Sequence, residues 1–313
     1  MSTTSPLHLH GLIEARTILP AIDPQTCILC LSTKSSPGVN TICSACTTSL
    51  ASDPALSFLH HTAQELYAFW IALLRRTLTR EFEMSTCPKR GTSWSFKLGV
   101  PGAQKNLPMP ASDTLELGQG EAMKLTAMEK DLLEEVLLQS MACAEAIQVL
   151  ARLLQVHLLQ DSQSPVQSIR EILFEPAHPT CTNHWTFLVT LLDSRTYALN
   201  FSDRQLGWPR LLVSWPEYLS KNIKLDEAQS PIRLQLFDLG YWCTECWTEY
   251  CVRFHQVLEV DWDMVLEERA PEGWVAEEEL GERERVKGER AGWARLEGRV
   301  EKLFEVWREG GWR

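Results

Sequence analysis

Four cysteines near the N-terminus, Cys27, Cys30, Cys43 and Cys46, form a C-x2-C…C-x2-C array. Each pair offers two thiolates to one ion with backbone N–H groups facing the sulfurs, and two pairs complete a tetrahedral shell around a divalent metal. Zn2+ is the ion this donor set suits best. A shell closed by four thiolates leaves no open coordination position, so its chemistry is structural rather than catalytic. The twelve residues between the pairs include Ser35-Ser36-Pro37-Gly38, which can reverse the chain, and Val39 to Ile42, which can return as a strand. That layout resembles a zinc ribbon or a similar knuckle. With little aliphatic material over 21–50, metal binding is expected to supply much of the module's stability.

A second cluster, Cys243, Cys246, Cys251 and His255, has ligand-type residues at helical spacing. At about 100° per residue they spread over half the circumference of a straight helix and do not converge on one ion. They read as packed thiols, unless the helix breaks near Cys246.

The elements that must position these groups follow from composition and periodicity. A chain of 313 residues with 44% hydrophobic and 23% charged content is long enough for about two folded units. The formal net charge of -11 argues against general affinity for nucleic acid or anionic membrane. No apolar stretch is long enough to span a bilayer, and the N-terminal residues lack a secretory pattern. Ten cysteines in such a chain point to a reducing compartment, cytoplasmic or nuclear.

Residues 1–20 read as a flexible lead-in and 21–50 as the zinc-binding module. Ser52-Asp53-Pro54 starts a helix over 53–85 with an apolar stripe through Leu59, Ala63, Leu66, Trp70 and Leu73. Prolines and glycines make 86–120 a linker. In the α+β domain over 121–264, a long helix is expected from Ala122 to Leu159 and a short one from Val166 to Phe174. Trp185–Leu192 and Arg195–Phe201 flank a turn at Asp193-Ser194 and predict a hairpin. A short helix at Glu217–Lys221, a strand at Pro231–Leu239 and a helix at Tyr241–Leu258 follow. The charged tail, 265–313, carries an apolar seam through Trp293, Leu296, Val300, Leu303 and Trp307 that suits docking on its own domain or on a partner. The fold class is α+β: an N-terminal four-cysteine zinc module, a helical connection, then a helix-rich domain with a small antiparallel sheet.

The segment His184-Trp185-Thr186-Phe187-Leu188-Val189, a turn, and Tyr197-Ala198-Leu199-Asn200-Phe201-Ser202-Asp203-Arg204 resembles the His-strand, Asx-strand core of the transglutaminase-like and papain-like superfamily, with the resemblance extending over 122–223. It implies Cys143 as nucleophile, His184 as base and Asn200 as the group orienting the imidazole. Periodicity, by contrast, puts Cys143 mid-helix on the stripe with Val136, Ile147 and Leu150, where a thiol is packing material.

The reading from sequence is therefore an intracellular zinc-binding protein that interacts with a protein partner, with no membrane contact and with nucleic acid disfavoured as a partner. A cysteine-dependent acyl-transfer or hydrolytic enzyme using Cys143, His184 and Asn200 is the alternative. Nucleic-acid binding through the basic stretch from Arg75 to Lys97 is a third possibility and would need those residues on one exposed face.

Overall fold

Asp53 caps the first long helix, its Oδ1 accepting from the Leu56 amide at 3.1 Å, with Pro54 placed where a missing N–H costs nothing. In this computed structural model, which describes residues 10–38, 41–77, 80–87, 91–98, 114–118, 120–140, 142–178, 181–241 and 300–309, that helix is α2 (Pro54–Thr77). It follows the shorter α1 (Ser44–Ala51). Leu59, Ala63, Leu66, Phe69, Trp70, Leu73 and Leu74 form its buried face.

The helix ends short of the expected boundary. β2 (Arg80–Cys87) pairs with β3 (Gly91–Leu98), which pairs in turn with β1 (His10–Glu14), all antiparallel. Phe82 and Met84 alternate with Glu81 and Glu83, and Trp94 and Phe96 with Ser93 and Ser95, a period of two that a helical reading overlooks. The span expected to be a linker, 86–120, thus holds strands, including β4 (Thr114–Gly118), which pairs with β5 (Glu121–Lys124). The expected lead-in contributes β1 and a 3-10 turn at Leu19–Ala21.

The long helix expected over 122–159 is a strand and two helices. Thr126 and Glu129 form a reciprocal capping box that starts α3 (Ala127–Leu138). After a turn closed by the Ala142 amide donating to Gln139 O at 3.0 Å, α4 (Cys143–Leu154) leaves at 91° to α3. A tertiary contact fixes the break, since Gln139 Nε2 donates to the Tyr67 hydroxyl of α2 at 2.7 Å.

Beyond a π-helical turn at Gln155–Leu159, the residues expected to form a short helix are instead β6 (Val166–Phe174). The hairpin forms as expected: β7 (His184–Leu191) and β8 (Thr196–Leu199), with Ser194 at φ 68° in its turn. β9 (Leu212–Ser214), α5 (Trp215–Asn222) and β10 (Leu234–Asp238) complete an antiparallel sheet of order β10-β6-β7-β8-β9. Trp185, Phe187, Val189 and Leu191 share one core with α2 and α4. On the other face Ile172, Phe174, Ala198 and Val213 pack with Tyr218 of α5. A third core joins Ile13, Ile18 and Ile22 to α3 and Leu115.

A helix over 300–308, α6, docks its Val300, Leu303 and Phe304 into the main core, with Phe304 edge-on to Phe69 at 5.2 Å. The seam expected in the tail therefore lies on the chain's own domain at these residues. Trp293, Leu296, and the cluster Cys243, Cys246, Cys251 and His255 lie outside the described residues. Among the described residues, no single helix is long and apolar enough to cross a membrane.

Candidate functional site

The Sγ atoms of Cys27, Cys30, Cys43 and Cys46 all lie within 4.8 Å of one another. Cys27 and Cys46 are 3.8 Å apart, and Cys30 and Cys43 are 3.7 Å apart. A tetrahedron with metal–sulfur bonds of about 2.3 Å has edges of about 3.8 Å, so the donors already stand at ligand spacing. Disulfides would need sulfurs about 2.05 Å apart, and all four cysteines are free. Backbone amides serve the sulfurs as the knuckle requires, Cys43 N donating to Cys27 Sγ at 3.3 Å and Cys46 N to Cys43 Sγ at 3.5 Å. The thiols are unequal without a cation: hydrogen bonding to Ser32 lowers Cys30 to about 6, while burial raises Cys46. A divalent ion held here would favour thiolate over thiol at its ligands.

Helix and knuckle share Cys43, which caps α1 through its sulfur. The expected return strand is not formed at 41–42; a bridge between Thr26 and Thr33 closes the first knuckle instead. Lys34, the module's basic residue, is buried, its Nζ donating to Gly38 O at 2.8 Å and Thr41 Oγ1 at 2.6 Å.

A second constellation is assembled from three separate parts of the chain. The break after α3 makes Cys143 the first residue of α4 rather than a mid-helix residue, and its side chain is partly buried. Ala142, at the N-cap, offers no side-chain acceptor to this helix start. His184 opens β7 and is fully buried, its Nε2 2.7 Å from Asp203 Oδ1. Asp203 starts a 3-10 turn, Asp203–Leu206, and its Oδ2 accepts from the Tyr218 hydroxyl at 2.9 Å. Phe174 and Trp208 stand edge-on to the imidazole at 5.5 and 6.4 Å.

Nδ1 of His184 makes no conventional hydrogen bond among the described residues. The thiols of Cys143 and Cys181 lie near enough to the ring to raise its pKa, but neither meets hydrogen-bond geometry at Nδ1, and Cys181 Sγ donates to Asn183 O at 3.1 Å. Burial pulls the His184 pKa down, but the charge and hydrogen bond of Asp203, reinforced by the two thiols, hold it well above the ordinary histidine value. Asp203 therefore fixes Nε2 as the bonded nitrogen.

Asn200 does not perform the role the resemblance implied. Its Oδ1 accepts from Thr186 Oγ1 at 2.5 Å and its Nδ2 donates to Arg210 O at 3.4 Å, so it braces two strands instead of the imidazole. Asp203, three positions further along the chain, meets the ring instead. The sequence signal was available, since an ionised carboxylate orients an imidazole more strongly than an amide does. Cys181 and Tyr218 carry no comparable sequence signal.

One buried network supports both Cys143 and Asp203. Tyr67 donates to Glu135 Oε2 at 2.9 Å, Arg204 Nη1 meets the same oxygen at 3.2 Å, and the Arg204 guanidinium lies 5.5 Å from the Tyr67 ring centre. Burial pushes the Tyr67 phenol well above its usual value. Since Gln139 joins the network just before α4, it steadies the turn leading into Cys143 together with the turn carrying Asp203. A cavity of about 190 Å³ lies beside it, lined by Ile28, Tyr67, Asn200, Asp203, Arg204 and Trp208 among others.

No family model, curated protein or solved structure matches this chain.

Proposed function

We propose that the chain is a cysteine-dependent acyl-transfer or hydrolytic enzyme of transglutaminase-like or papain-like type, with a zinc ion held structurally by Cys27, Cys30, Cys43 and Cys46. The observation that carries this reading is the helix break that makes Cys143 the first residue of α4, near enough to the buried His184 ring to raise its pKa. A helix N-terminus favours negative charge on sulfur or on a nearby oxyanion.

In this reading the proton shared by Cys143 and His184 rests on Nδ1, which the raised imidazole pKa favours, and the Cys143 thiolate attacks a substrate carbonyl carbon, moving the carbonyl pair onto oxygen. The tetrahedral species collapses, the leaving group takes the Nδ1 proton, and an acyl-thioester remains. A second nucleophile, water or an amine, then surrenders its proton to Nδ1 as it attacks, and the thiol is restored. Asp203 holds the imidazole through Nε2 and balances its positive charge, and Tyr218 holds Asp203. Zinc would supply no reacting position, because four thiolates fill its shell.

The test is alkylation of the metal-loaded chain by iodoacetamide, read at the Cys143 peptide by mass spectrometry. Cys143 is expected to react at pH 6 at least about tenfold faster than an unactivated thiol, and His184→Ala to abolish the enhancement. A Cys143 rate equal to that of a free thiol, insensitive to His184→Ala, sinks the enzyme.

A second reading, a non-catalytic domain that binds a protein partner, is favoured by one observation: the His184 side chain is 0% exposed. In that case the same groups form a core network and alkylation shows no enhancement. Zinc–thiolate ligation needs reduced cysteines under either reading, which supports a cytoplasmic or nuclear location.

A further inference from the structure

Arg210 stands between the two sites. Its side chain is 12% exposed and grips Glu217 with both nitrogens, Nη2 to Oε1 at 2.6 Å and Nη1 to Oε2 at 2.9 Å. Nη1 also donates at 3.3 Å to the carbonyl of Leu29, inside the Cys27–Cys30 knuckle. A metal held by Cys27 and Cys30 would fix the direction of the Leu29 carbonyl between them. Glu217 belongs to α5, and the next residue, Tyr218, holds Asp203, which holds His184.

A second path runs through the backbone. The Arg210 carbonyl accepts from Asn200 Nδ2, and the Asn200 amide donates to Leu211 O at 2.8 Å, so Arg210 sits at the base of the strap 200–211 that carries Asp203. Hydrogen bonding to Arg210, then to Lys221, lowers the Glu217 carboxyl to about 2 despite burial, so this link is charge-assisted at any working pH.

We propose that Arg210 is a positioning residue that couples the four-cysteine knuckle to the His184–Asp203 pair, so that metal loading between Cys27 and Cys46 sets the reactivity of Cys143. The inference rests on the thiol-site reading above. Loss of metal frees the Leu29 carbonyl and removes one of the three acceptors of Arg210. The Glu217 fork is then released to turn, carrying Tyr218 and Asp203 with it. A shift of about 1 Å in such a chain is enough to change a rate by about a hundredfold.

The test compares Cys143 alkylation at pH 6 and pH 8 in the full metal-loaded chain, with metal content measured in every sample. Arg210→Met, with metal retained, is expected to slow alkylation at least tenfold at pH 6 and much less at pH 8, with Arg210→Lys in between. Glu217→Gln cuts the far end of the same link, is expected to give the same pH-selective loss, and decides the matter if Arg210→Met does not fold. Stripping metal from the wild type should reproduce it. A variant that keeps its metal and the wild-type rates overturns the coupling, as does equal slowing at both pH values, which marks altered access. If the metal-loaded wild type shows no enhancement at pH 6, it is the thiol-site reading that falls; if wild type and both variants are enhanced alike, the coupling alone falls.

Discussion

The four-cysteine knuckle and the Cys143–His184–Asp203 constellation use the same side-chain chemistry in opposite ways. In the knuckle, ligands within 20 residues of each other converge at sulfur separations near 3.8 Å. Local backbone geometry does the placing, and a metal would complete it. In the second site, the groups come from a helix start, a strand start and a 3-10 turn, and non-local contacts such as Tyr67 to Gln139 do the placing. One is specified by spacing, the other by the whole fold. The first can be read from a line of text, whereas the second becomes visible only after the helix breaks.

Removing the metal is expected to break this comparison most severely. Purified protein should carry one zinc per chain by atomic emission, and Cys27→Ser with Cys30→Ser should lose it. Because structural zinc supplies on the order of 10 kcal/mol in small modules, the variant should show loss of order across 27–51 by hydrogen exchange. Full protection without zinc would show that local packing suffices.

Cys143→Ser should do the reverse. Activity toward a thioester or peptide-amide substrate should fall by about 10³-fold or more, while the urea midpoint shifts by less than about 1 kcal/mol equivalent. A large stability loss with no change in turnover would assign Cys143 to packing.

Asp203 and Asn200 divide the next effect between them. Asp203→Asn should cut turnover by about 10²- to 10⁴-fold with the fold retained, because the imidazole loses its charged partner. Asn200→Ala should cost about 1–2 kcal/mol in stability by leaving Thr186 and the Arg210 carbonyl with fewer partners, and should affect turnover far less. Interchanged outcomes would restore the assignment implied by the sequence resemblance.

The smallest effect separates the regions by acid. Hydrogen bonding to Arg195 lowers the Asp53 carboxyl from 3.8 to about 2. A depressed folded-state pKa gives stability that is fully present above pH 3.8 and lost as pH falls through 2. Asp53→Asn, which keeps a capping side chain, should therefore reduce stability at pH 6 by about 1 kcal/mol or less and flatten the dependence between pH 4 and 2. Measured on metal-free protein, this component belongs to the α2–β8 contact, since protonation also strips metal from thiolates.

How far the fold was legible follows the same division. The β7–β8 hairpin, the start of α2 and the short helix α5 declared themselves through alternation, a capping triplet and a Trp-Pro turn. The strands β2 and β3 were hidden by a helical stripe that ends only a few residues earlier. The α3–α4 break was hidden because Gln139, Ser140 and Ala142 are all tolerated in a helix, and the partner that stops it, Tyr67, lies on another element. For the site, Cys143 and His184 were named from resemblance, but Asp203 was passed over for Asn200. Which of two polar residues on one strap meets the ring depends on the 3-10 turn after β8, and neither residue's type reveals that.

Gly207 closes that turn at φ 78°, and a Cβ there would stand 1.8 Å from the Thr17 carbonyl. The strap holding Asp203 is thus pressed against a residue from the very beginning of the chain. During synthesis the N-terminal segment emerges first and must wait for the strap to arrive. The turn that carries Asp203 can therefore close only once segments 190 residues apart in sequence have met, a requirement that follows from one contact without a side chain.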